Sequence, residues 1–99
     1  MSFRYEAECE LWTSPGKGGW CFITLPRDWT SPLKVVRGSQ AGAWGSMRVE
    51  ATIGASTWRT SLFPDSKAGA FLLPSKAEIR RREGIAPGDR VRVVVSIDL

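Results

Sequence analysis

Leu72 to Val95 reads LLPSKAEIRRREGIAPGDRVRVVV, and this stretch decides the fold. An apolar strand end with Leu73-Pro74 leads into a short polar segment at helical spacing. Ser75 and Glu78 stand at the spacing of a capping box, with serine capping the helix and glutamate reaching back. The helix is expected to run through Glu83 and stop at Gly84, since glycine accepts the left-handed backbone that closes a helix. In Ala86-Pro87-Gly88-Asp89 the proline and glycine shape a turn, and Asp89 can hydrogen-bond its backbone. Val91, Val93, Val95 and Ile97 then recur at every second position. They form the inner face of a last strand, with Arg90 and Arg92 outside.

Working outward, the same grammar repeats. Phe3, Tyr5, Ala7, Cys9 and Leu11 alternate with Arg4, Glu6, Glu8 and Glu10, which is a half-buried strand. TSPGKGG supplies a turn and WCFITL returns as the second strand of a hairpin. Trp12 and Trp20 flank that turn with outward parity and are expected to stack on each other. Ser31-Pro32 reads as a helix cap followed by proline at the first helical position, and Gly38 closes a short helix carrying Leu33, Val35 and Val36. After the loop SQAGAWGS, Met47 to Ile53 alternates, and GAS turns it into a strand over Thr57–Phe63. That strand sets Trp58, Thr60 and Leu62 opposite Arg59, Ser61 and Phe63. PDSKAGA is a polar loop before a short strand at Phe71–Leu73. Six strands and two short helices make one mainly β domain over residues 1–99, with no linker and no low-complexity segment.

The two halves echo one another. Each has a strand ending in Leu-Pro, at 25–26 and at 73–74, then a short helix, then an arginine-bearing alternating strand. MRVEATI and VRVVVSI lie at comparable distances beyond their Leu-Pro pairs, which points to pseudo-duplication.

Composition bounds the function. With 99 residues, 42% hydrophobic and five tryptophans, the chain can build one real core. No apolar run nears the roughly 20 residues of a membrane span, and MSFRYEAECE is unlike a signal or transit peptide. The expectation is a cytoplasmic protein. There is no histidine, so His-dependent triads and His-metal centres are excluded. Cys9 and Cys21 suit neither a zinc site nor a redox pair, and both read inward, as buried thiols. Asp28, Asp65, Asp89 and Asp98 are scattered, so no metal site is expected. GKGG lacks the spacing of a phosphate loop, and nothing sets a nucleophile beside a base. No catalytic residue and no cofactor is therefore expected. The net charge of +4 is spread beyond residue 25 and mixed with acids, unlike a basic tail.

Two resemblances follow from these motifs. ITLP, VEATIG, WRTSLFPD and the opening stretch resemble a small bacterial and archaeal domain family of unknown function, over nearly the whole chain. That family occurs alone or fused to YdeI/OmpD-associated-type domains. The resemblance implies a six-stranded double-split β-barrel, pseudo-duplicated and capped by two short helices, and it carries no catalytic residues. Only Gly69 and Phe71 of DSKAGAF follow the family's pattern there. Separately, LPSKAEIRRREGIAPGDRVRVVV is similar to the swapped-hairpin unit of AbrB- and MazE-type DNA-binding regulators, which are intertwined dimers.

Three functions follow. The first is a non-enzymatic binding or accessory module, a monomer or small homo-oligomer whose partner is unknown. The second is a nucleic-acid-binding regulator using Arg48, Arg59, Arg80, Arg81, Arg90 and Arg92 on phosphates. Against it, Arg80, Arg81 and Arg82 fan around the helix at about 100° per residue, while Glu78 and Glu83 are placed to pair with Arg82 and Arg80. The third is a small-molecule binder with a barrel-end pocket lined by Trp44, Trp58 and Phe71.

Overall fold

The computed structural model describes residues 2–14, 20–37 and 47–98. Alternating sequence makes six strands: β1 (Ser2–Thr13), β2 (Cys21–Thr24), β3 (Met47–Ile53), β4 (Ser56–Asp65), β5 (Ala70–Ser75) and β6 (Arg90–Asp98). Two short helices, α1 (Thr30–Arg37) and α2 (Ala77–Glu83), interrupt them, and a 3-10 turn at Arg27–Trp29 leads into α1. All neighbouring strands pair antiparallel, and the sheet closes on itself in the order β1-β2-β5-β4-β3-β6. Closure removes free sheet edges. It also turns one residue set inward: Leu11, Ile23, Leu62, Leu73, Val93, Val95 and Ile97 are fully buried.

The helices stopper opposite ends. Leu33 of α1 and Ile79 of α2 are both buried in the common core. At the α1 end, Thr30 Oγ1 donates to Gly69 O (2.9 Å) and Arg27 Nε to Ala68 O (3.0 Å), tying the helix to the β4–β5 turn. At the other end Glu83 clamps the β3–β4 turn. Ser56 Oγ donates to its Oε2 at 2.6 Å and Ala55 N to its Oε1 at 3.4 Å. Gly54 makes that turn with φ +59, and a methyl there would fall on Glu83 Oε1.

Strand register turns the sequence echo into a two-fold axis. The Leu-Pro pairs stand 48 residues apart, and so do Thr24 and Leu72, which face each other across β2 and β5. MRVEATI and VRVVVSI stand 44 apart, and so do Ala51 and Val95, which face each other across β3 and β6. Leu11 pairs with Ile23 as Pro64 pairs with Phe71. Cys9 pairs with Val91 as Leu62 pairs with Met47. Both comparisons relate β1 to β4 by one offset, 53 residues. The barrel is thus two copies of one strand-strand-helix-strand unit, and exchanging them leaves the strand order unchanged.

Several local expectations need correction. Ser75 does not cap α2. It ends β5 facing inward, its hydroxyl has no hydrogen-bond partner, and Lys76 holds the cap position without a side-chain bond. The strand's inward parity overrides the capping-box spacing, and Arg80 Nη1 reaches the Ser75 carbonyl instead. Glu83 therefore answers the β3–β4 turn and not Arg80, whereas Arg82 does pair with Glu78 at 2.7 Å. α1 begins at Thr30, one residue before Ser31. Trp12 packs on Phe22, its register partner, at 5.3 Å between ring centroids, while Trp20 is 65% exposed. Gly84 closes α2 in the left-handed region, as its position implied. Gly38 lies outside the described residues.

Candidate functional site

The six arginines do not make one surface. Arg90 and Arg92 lie on the outer face of β6, where the ladder sets them across from Glu10 and Glu8 of β1. Arg92 pairs with Glu6 at 3.1 Å, and Arg90 Nη2 donates to the Glu8 carbonyl at 3.4 Å. Arg48 and Arg59 lie diagonally on β3 and β4, with Glu50 directly opposite Arg59. Glu50 aligns with Ser96, so Arg48 and Arg92 are six residues apart along the ladder, about 20 Å at strand rise. Arg80 is turned to the Ser75 carbonyl, and Arg81 is exposed on α2.

Two of the three residues expected to line a barrel-end pocket are buried and do not wall an open site. Trp58 is 8% and Phe71 1% exposed, and both fill the barrel interior. Trp44 lies outside the described residues.

What strand parity does assemble is an apolar face on the outside of the barrel. Inward Cys21 and Ile23 force Phe22 outward, and inward Phe71 and Leu73 force Leu72 and Pro74 outward. Phe63 lies opposite Leu72, Pro74 opposite Phe22, and Phe22 opposite Trp12. With Trp20 and Ser14 from the two sides of the first hairpin, Phe22, Phe63, Leu72 and Pro74 wall a cleft of about 450 Å³. Trp20 and Phe63 are 65% and 44% exposed, so the face meets solvent through large rings. Trp12 braces it from β1, with Nε1 donating to Thr24 Oγ1 at 2.9 Å. The cleft is within the size range of ligand and anchor pockets, roughly 300–1,000 Å³.

The two-fold axis shows that the barrel does not require this apolarity. Exchanging the halves carries Trp12 to Asp65, Phe63 to Glu10, Phe22 to Ala70 and Leu72 to Thr24, while Pro74 lands on Pro26. Apart from Pro26, the symmetry-equivalent positions are polar or small. The outer wall is oily on one side of the axis and wet on the other.

Reactive chemistry is poorly placed. Cys9 and Cys21 are buried and are not joined in a disulfide. Thr13, not Cys9, aligns with Cys21, so the two sulfurs' strand positions are four residues apart, about 13 Å. Burial pushes the Cys9 thiol above its ordinary 9.0, with Arg90 pulling it back, so at neutral pH it stays a thiol. Among the described residues no three His, Cys, Asp or Glu side chains gather to hold a metal, and no helix is long and apolar enough to cross a membrane.

Residues 8–95 match a domain of unknown function, DUF1905. No curated protein matches the chain.

Proposed function

The chain belongs to the DUF1905 family, a domain of unknown function, and we propose that it is a non-enzymatic binding module working through the apolar outer face of β2 and β5. One observation carries the reading: Trp20, Phe22, Phe63, Leu72 and Pro74 form a solvent-facing apolar cleft that the symmetry-equivalent positions do not reproduce. Apolar side chains outside a closed barrel add nothing to its core, and a contiguous exposed patch of this kind marks an interaction surface. The buried, protonated thiol and the absence of histidine support a role without covalent chemistry. Two buried thiols that form no disulfide suit a reducing compartment such as the cytoplasm.

The duplicated barrel fits a distant kinship with swapped-hairpin DNA-binding regulators, but fold does not carry function. The dispersal of the six arginines and the glutamate row beside Arg90 and Arg92 favour the apolar face over a phosphate-binding one. The test is affinity capture from a lysate of the source cell, with and without nuclease, using the wild-type domain and a Trp20→Ser/Phe63→Ser variant. The reading expects partners that survive nuclease and are lost with the variant. Capture that vanishes with nuclease, or that the variant retains, would refute it.

A further inference from the structure

Charges around the apolar face say what kind of partner it fits. One register step beyond the Cys21–Ser75 pair stand Trp20 and Lys76. Lys76 is exposed and its backbone is still extended, so it continues the outward parity of Leu72 and Pro74. At the opposite corner Arg48 lies across from Ser61, diagonal to Phe63, at roughly 7–8 Å between such positions. Arg48 is exposed and forms no ion pair among the described residues. The acids nearest in the ladder are Asp65, Glu10 and Glu50, and Glu50 lies across from Arg59. Asp65 Oδ1 accepts the Lys67 N–H of its own turn at 3.1 Å, and Glu10 lies across from Arg90. Among the described residues, the cleft between the two cations is walled by rings and aliphatic carbon, with Ser14 supplying the hydroxyl.

We infer that this face takes a segment of another protein whose apolar anchor side chains are flanked by carboxylates, the anchors entering between Trp20 and Phe63 and the carboxylates meeting Lys76 and Arg48. The inference rests on the reading of the domain as a binding module and adds the partner's chemistry. A second copy of this chain fits less well, because it would bring the same cationic rim against itself on a molecule already at +4. Single-stranded nucleic acid also fits less well. Bases stack on open ring faces, whereas Trp12 and Phe22 pack at 37° to each other and Leu72 and Pro74 form much of the floor.

The experiment is selection of a displayed random-peptide library on the intact domain, followed by fluorescence polarisation with one synthesised winner. Winners should carry aromatic or aliphatic pairs flanked by Asp or Glu. Trp20→Ala should weaken the winner by about 30-fold or more, as loss of an aromatic anchor does. Lys76→Glu with Arg48→Glu should weaken it by about tenfold, and a peptide with its acids changed to lysine should recover on that variant. Winners without acids, or a charge reversal that changes nothing, would overturn the inference while leaving the face as the binding site. If Trp20→Ala and Phe63→Ala also change nothing, the binding-face reading falls with it. Two parallel measurements test the alternative occupants. An oligothymidylate that competes the peptide off the face, or sedimentation showing a dimer that Trp20→Ala dissociates, would also overturn the inference.

Discussion

Ser75 shows how a local motif loses to a longer-range pattern. Read with Glu78 it is a helix cap, and its loss would cost about 0.5–2 kcal/mol. In the barrel it is the last inward residue of β5, 6% exposed, with a hydroxyl that makes no hydrogen bond. Removing an unpartnered buried hydroxyl costs little or helps. Ser75→Ala is therefore expected to leave the urea midpoint unchanged or raise it, and a loss near 1 kcal/mol would restore the capping role. Glu83 is the opposite case, a surface-reading acid that secures an otherwise buried serine. Glu83→Ala should cost about 1–3 kcal/mol by denaturant unfolding, because Ser56 loses its partner. Cys9 gives a pH signature. Its thiol value is raised by burial, so its contribution is full below the ordinary 9.0 and is lost as pH climbs beyond it, where the unfolded chain ionises first. Cys9→Ala should flatten the alkaline fall of the urea midpoint, measured from pH 8 upward against wild type.

At the scale of elements, every strand and both helices were legible, because period-two alternation and turn residues are local signals. Residues 3–11, 47–53 and 91–97 alternate in the sequence as they do in the barrel. What local signals could not supply was adjacency. The outward parity of Trp12, Trp20 and Phe63 was readable, and Phe22, Leu72 and Pro74 follow from the same rule. Nothing local says that β2 lies between β1 and β5, or that β4 follows β5, and only that order makes the six residues one face. Trp58 and Phe71, named for a barrel-end pocket in the third reading, follow the parity of their strands and lie in the core. The β3–β4 hairpin is where element and helix meet. Gly54→Ala combines a left-handed backbone with a collision at Glu83, so it should cost about 1–3 kcal/mol. In the Glu83→Ala background the collision disappears and the penalty should shrink, which a double-mutant cycle by denaturant unfolding measures.

For the whole molecule, the two-fold axis explains both the stability of the plan and its one asymmetry. Ser2 pairs with Asp98, so the chain's first and last strands meet where the β3–β4 turn stands in the other half. A permutant that joins residue 98 to residue 2 through a short Asn-Gly link and opens at Gly54–Ala55 should fold to the same barrel. Its circular dichroism should match wild type, with a lower melting temperature for the loss of the Glu83 clamp. Against this symmetric frame the apolar β2–β5 face is the departure. The most direct measurement is the salt dependence of binding for the captured partner, whether protein or nucleic acid, titrated by calorimetry at several temperatures between about 50 and 500 mM salt. Burial of the apolar face predicts a negative heat-capacity change and an affinity that falls less than about tenfold over that range. A surface built from the six arginines would instead lose affinity with a log–log slope near −5, and that result would contradict the account.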